Sequence, residues 1–278
     1  MEEVKPNNFG YPSDNIGQGQ NEILSEPQVY PQNNQYINSQ DIDFNQNKEI
    51  QEEDFTVSYQ IKRGFIIKTY GIVISQLLIS LIFISLSFIP SVKENLVLNS
   101  DKNPLLSLFF ILFTIITISV FIIFSCCRNV ARRVPTNYIL LFTFTLCMSF
   151  YLTILCSHVN PSTVISALIL TIGATLGLTI YAYRTQENYS NCGALLFSLI
   201  LISIIGFPLF LWIGNTIFYC ILGIFIYALY LVYDTQLILG KFGIEYNVDD
   251  YCLAALNIYV DIVYLFIRIL SLLASKRN

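Results

Sequence analysis

The sequence predicts an all-α integral membrane protein, a bundle of seven transmembrane helices behind a disordered hydrophilic tail. Three observations carry this reading. Charged residues make up 12% of the 278-residue chain, against about 25% in a soluble domain. Residues 134–183 and 188–233 run for 50 and 46 positions without Lys, Arg, Asp or Glu. A bilayer span needs about 20 apolar residues, so each run holds two spans. A soluble enzyme, a secreted disulfide scaffold and a coiled coil are excluded. The net charge of −4 divides into −7 for residues 1–63 and +3 for residues 64–278. No basic footprint for nucleic acid is present.

Residues 1–60 read as a disordered, Asn/Gln/Pro-rich cytosolic tail, and residues 61–278 as the transmembrane domain. Seventeen Asn and Gln occur by Gln51, and Pro6, Pro12, Pro27 and Pro31 interrupt any periodic pattern. Such a segment cannot bury enough apolar surface to offset its ordering entropy. Its scattered Tyr and Pro make a docking arm the sharper alternative to a plain solvated tail. The first apolar run begins near Phe65, so no cleavable signal peptide is expected, and the first span is expected to act as its own insertion signal.

The spans follow in order. Span one, about 65–89, stops at Pro90. Span two, about 105–127, enters after Pro104 and closes at Arg128, Arg132 and Arg133. Span three covers about 137–157, and Asn160-Pro161 reverses the chain into span four, about 162–183. Span five covers about 192–211, with Pro208, Gly214 and Asn215 at the next reversal. Span six, about 216–239, and span seven, about 253–274, are interrupted by Asp234 and Asp261.

Lys and Arg in short loops set orientation. Lys62, Arg63 and Lys68 flank span one. Arg128, Arg132 and Arg133 follow span two, with Arg184 and Lys241 in later loops of the same side. The opposite loops hold Lys93 and Lys102 alone. The N-terminus is therefore expected in the cytosol. Seven spans put Lys276 and Arg277 on the far side, against the rule, which leaves a re-entrant last segment as the alternative. Seven full spans is the reading, since early segments usually dominate. The sequon Asn188-Tyr189-Ser190 then faces the cytosol and stays unmodified.

Charged residues inside spans are functional hypotheses by default. Asp234 lies six residues before Gly240, about 9 Å of helix, and Asp261 lies eight residues after Leu253, about 12 Å. Antiparallel neighbours therefore bring the two to similar depth. Asn257, Asp261, Tyr264 and Arg268 follow i, i+4, i+7, i+11, one polar stripe, and Tyr227, Tyr230 and Asp234 make another on span six. Two buried carboxylates side by side cannot both ionise cheaply and titrate as a unit, so the pair suits a proton switch. With both ionised, their oxygens are transient ligands for a hard cation such as Ca2+. The alternative is structural, with each Asp in its own hydrogen-bond network or paired to Arg268, Arg132 or Arg133.

Other groups read as structural. The seven Cys lack CxxC spacing and behave as small apolar thiols. His158 stands alone without metal spacing. Gly173 and Gly177 fit small-residue helix packing. No GxGxxG or P-loop is present.

The segments VYDTQLILG (232–240) and ALNIYVDIVYLFIRIL (255–270) closely resemble the last two segments of the Bax inhibitor/lifeguard family of transmembrane Bax inhibitor motif-containing proteins. IKRGFIIKTYGIVISQLL (61–78) and ARRVPTNYILLFTFTL (131–146) resemble its first span and its second-to-third junction. The resemblance implies six helices around a central seventh, in endomembranes such as the endoplasmic reticulum or Golgi. It implies a pH-dependent Ca2+ leak, suppression of cell death, and contact with cell-death regulatory proteins. It places the family's paired aspartates on Asp234 and Asp261, and its latching Arg on Arg132 or Arg133. Lys241 and Tyr264 depart from the family pattern, and Tyr264 lies on the stripe of Asp261.

The function expected is thus a pH-sensitive Ca2+ leak channel gated by two aspartates, not an enzyme, with no cofactor beyond Ca2+ as permeant ion and with the lipid bilayer as its medium. A non-conducting scaffold or death regulator is the second reading. An intramembrane aspartyl protease is the third. Tyr233-Asp234 fits its first motif, but Ile258-Tyr259-Val260 stands where GxGD would need glycines.

Overall fold

The computed structural model describes residues 38–97, 104–189, 193, 196, 198, 199, 201, 216–240 and 246–276. The chain divides into two units, Met1–Gln51 and Glu52–Asn278. Every regular element among the described residues is helical.

Helix α1 spans Asn38–Leu86. It begins inside the stretch expected to be a disordered tail, and residues 1–37 of that tail lie outside the described residues. The physical reason is local. All four tail prolines precede Asn38, and no Gly occurs between Asn38 and Gly64. The intervening Glu, Gln and Lys are good helix formers, so nothing stops the first span from extending backwards.

At Ser87–Ile89 the chain turns, and Pro90 starts the short α2 (Pro90–Val97). A proline at the first helical position gives up no hydrogen bond, so Pro90 both ends one helix and opens another. Pro104 does the same for α3 (Pro104–Cys126). One helical turn, α4 (Arg128–Ala131), and a bend at Pro135 lead into α5 (Thr136–Ser157). Asn160 is extended and Pro161 opens α6 (Pro161–Arg184). Helix α7 is Thr216–Leu239, closed by Gly240 at φ 62°, the left-handed cap that glycine adopts without strain. A turn of 3-10 helix, Val248–Asp250, feeds α8 (Tyr251–Ser275).

Six of these helices are long and apolar enough to cross a bilayer. Five of them, all but α8, bear exposed large apolar side chains, among them Ile67, Leu108, Ile139, Ile169 and Phe225. Water would penalise such faces; hydrocarbon suits them. The chain is a multi-pass membrane protein. The expected fifth span, the reversal at 208–215 and Lys241 fall largely outside the described residues, though positions 193, 196, 198, 199 and 201 are helical.

Helix α8 is the most buried of the six, with 56% of its apolar window inside the protein, and α3 the least, at 11%. Helices α7 and α8 pack together, α6 packs on both, α5 also meets α8, and α3 lies on α5. Polar side chains join α1, α5 and α8 internally. Gln76 donates to Thr145 at 2.8 Å, and the Ser80 hydroxyl lies 2.9 Å from that of Ser149 and 2.8 Å from that of Tyr259. The close packing expected at Gly173 and Gly177 is not found among the described residues, where a Cβ at either would meet no atom within 4 Å. The buried side of α6 is built by Val164, Ala167 and Thr171, and the two glycines fall off that stripe.

Candidate functional site

Asp234 and Asp261 come together as the sequence expects. They sit on α7 and α8, are 5% and 4% exposed, and their carboxyl groups hydrogen-bond to each other. Two ionised carboxylates are acceptors only, so that bond needs a proton between them. Asp261 keeps a second oxygen, Oδ2, buried with no hydrogen-bond partner among the described residues.

A third residue completes the site. The Tyr246 hydroxyl donates to Asp234 and accepts from Asn257 Nδ2 at 2.9 Å. Asn257, Tyr246, Asp234 and Asp261 thus form one line of hydrogen bonds from α8 through the connection and back across α7. Burial pushes the Tyr246 phenol well above its usual range, so it stays a donor at physiological pH. Tyr246 escapes a sequence reading because it lies in a connection, where no helical period marks its direction.

The rest of the stripe separates into distinct contacts. Tyr230, one turn before Asp234, lies within electrostatic reach of both carboxylates. Tyr264 stacks on Tyr227, with centroids 5.1 Å apart and planes at 8°. Arg268 does not pair with either aspartate. Its Nη2 donates to the Tyr219 hydroxyl at 3.1 Å, and its guanidinium carbon lies 4.4 Å from the Tyr219 ring centroid.

The arginine latch expected from Arg132 or Arg133 is not made to the aspartate pair. Arg132 forks onto Asp250, with Nε to Oδ1 at 2.6 Å and Nη2 to Oδ2 at 2.8 Å, and Arg133 is exposed. The reason is reach. Asp250 precedes Asp261 by eleven residues, about 16 Å along a helix, and it offers Arg132 a bidentate partner. Donation to the Asp250 carboxylate raises the Arg132 guanidinium further above its usual range. The acidic pair Asp249-Asp250 directly before an apolar run was a helix-start signal that could have marked this contact.

Gln236, fully buried, clamps the chain leaving α6. Its Nε2 donates to the Glu187 carbonyl at 2.9 Å, and its Oε1 accepts from the Tyr189 amide at 3.0 Å. Tyr233 packs its hydroxyl 3.0 Å from where a Cβ on Gly193 would stand. The YDTQ segment therefore splits its work: Asp234 turns to α8, while Tyr233 and Gln236 hold the residues that follow α6.

Among the described residues, six cysteines are free thiols, four of them buried, and no group of three or more His, Cys, Asp or Glu converges. His158 caps α5 and is exposed.

A family model described as inhibitor of apoptosis-promoting Bax1 matches residues 62–278. Protein lifeguard 3 of Homo sapiens is 30% identical over 227 residues, covering 78% of this chain and 70% of the relative. Protein lifeguard 3 of Mus musculus is 31% identical over 226 residues, covering 78% and 71%. A BI1-like protein of Arabidopsis thaliana is 31% identical over 226 residues, covering 79% and 83%.

Proposed function

The chain belongs to the Bax inhibitor family, and from that premise we propose that it is a pH-sensitive Ca2+ leak of endoplasmic reticulum or Golgi membranes, gated by Asp234 and Asp261 and acting against cell death. The observation that carries the gate is the pair of buried carboxylates, hydrogen-bonded to each other between α7 and α8. With one proton between them the two helices are held together. With both ionised, like charges face each other at short range. The shared proton therefore sets the force between the helices.

Ca2+ takes six to eight oxygen ligands when it is held. Two carboxylates supply fewer, which suits an ion that passes. No ATP site is needed, because the ion runs down its gradient. The proposal includes seven spans, the fifth at about 192–211, a disordered part of the tail in the cytosol, and a central last helix. The burial of α8, the largest of the six, supports that last point.

The test is flux from vesicles holding the purified full chain and a Ca2+ dye, measured across pH. Asp234→Asn and Asp261→Asn each leave an amide that cannot lose a proton, so both should flatten the pH dependence of flux. If both variants keep the parent's flux and pH response, the gate is rejected. Loss of death suppression on removing residues 1–58, with flux intact, would instead favour a scaffold that works through its tail.

A further inference from the structure

A cavity of about 320 Å3 lies between α1 and α6, with α5 and α8 at its floor. Its size falls at the lower end of the roughly 300–1,000 Å3 of small-molecule sites. The wall is almost wholly aliphatic. Ile74 and Leu78 of α1 and Ile172 and Leu176 of α6 form its rim and are exposed on the outer faces of those helices. Leu152, Val263 and Phe266 form its floor and are 1–3% exposed.

The lining residues 168–176 and 262–266 fall in the middle of Pro161–Arg184 and Val248–Ser275, and 74–84 fall in the second half of Thr56–Leu86. That depth is hydrocarbon, beyond the reach of headgroups and water. Of the three hydroxyls in the wall, two are already engaged, Ser80 with Gln76, Ser149 and Tyr259, and Thr171 with Ala167. The third, Thr175 Oγ1, is buried without a hydrogen-bond partner among the described residues, and one hydroxyl alone does not hold a water, which needs two to four polar partners. A cavity walled by such groups stays dry and takes apolar ligands.

We propose that this cavity is a binding site for one lipid acyl chain, whose end enters from the bilayer between α1 and α6 and rests on α8. The rim is continuous with the lipid-facing surface of both helices, so the tails of the surrounding membrane are the molecules that meet it. The site is independent of the aspartate gate and stands or falls separately.

The full chain in vesicles of phosphatidylcholine bearing a diazirine at the end of one acyl chain gives the test. Photolysis followed by peptide mass spectrometry reads where the chain end rests. Val263 and Leu265 are buried alike, at 3% and 1%, and lie two residues apart on α8, but Val263 alone of the two lines the cavity. Adduct yield at Val263 should exceed that at Leu265 several-fold. Equal yields overturn the site, as does an absence of lipid adducts at Val263. Thr175→Phe, which fills the mouth, should lower the Val263 yield several-fold while the yield at lipid-facing Ile139 stays constant. If that variant does not fold, Leu81→Trp on the opposite wall serves, and an unchanged Val263 yield in a folded variant also overturns the site.

Discussion

The Arg268 side chain crosses α7 at Gly223. A Cβ placed there would stand 2.7 Å from Arg268 Cδ and 2.8 Å from Nε, closer than atoms approach. Only a residue without a side chain leaves the notch through which the aliphatic stem passes to set its guanidinium on Tyr219. Gly223→Ala should therefore cost about 1–3 kcal/mol through overpacking, although alanine is the better helix former by about 1 kcal/mol. Thermal unfolding in detergent micelles should show a lower midpoint; an unchanged or raised midpoint would mean that Arg268 lies elsewhere. The same scale shows what a sequence can reveal. Asp234 and Asp261 were legible because charge inside an apolar run has one inexpensive arrangement, facing another polar group. Tyr246 and Asp250 were not, because outside a helix no period fixes where a side chain points. The arginine was legible as a cation that needs a carboxylate, but which carboxylate depends on a fold in space.

Among elements, the start of α8 is fixed by contacts from two other helices and one connection. Arg132 of the α4–α5 connection holds Asp250, Asn137 of α5 donates to the Tyr251 hydroxyl at 3.0 Å, and the Lys68 ammonium of α1 sits 3.3 Å from the Tyr251 ring centroid. Removing one member of the ion pair leaves the other without its partner, and Asp250 is only 5% exposed. Breaking such a pair from one side is more damaging than removing both charges. Arg132→Gln should speed hydrogen exchange at the first turn of α8, and Arg132→Gln with Asp250→Asn should restore much of the protection. If the double variant exchanges faster than the single one, the pair does not hold the helix start. Helix boundaries themselves were legible wherever a proline stands. Pro104 and Pro161 each open a helix at the expected place, and Pro90, expected only to end the first span, also opens a short helix. The N-terminal limit of α1 was hidden because composition averages over a window. It counts the prolines at 6–31 against residues that lie beyond them and contain none.

For the whole molecule, sidedness follows from one chain of reasoning that a single residue tests. In the proposed topology, basic residues 62, 63, 128, 132 and 133 put the entry to the first span and the α3–α5 connection on the cytosolic side. Helices α5 and α6 then cross and return, so the residues after Arg184 share that side. Gln236 binds the backbone at Glu187 and Tyr189, which fixes Asn188 at the same end of α7 as the end of α6. Asn188 belongs to a sequon that only lumenal enzymes can use. In sealed microsomes Asn188 should carry no glycan. A membrane-impermeant maleimide added outside should label exposed Cys127, next to Arg128. In a Cys126→Ser, Cys127→Ser background, His158→Cys, at the other end of α5, should react only after the membrane is opened. A glycan at Asn188, or protection of Cys127 with ready reaction at position 158, would invert the molecule. Inversion would place the Asn257–Tyr246–Asp234 line, which enters from the α7–α8 connection, on the lumenal face. The gate would then answer to the pH of the store and not of the cytosol, so the same flux assay must be run with pH stepped on each side separately.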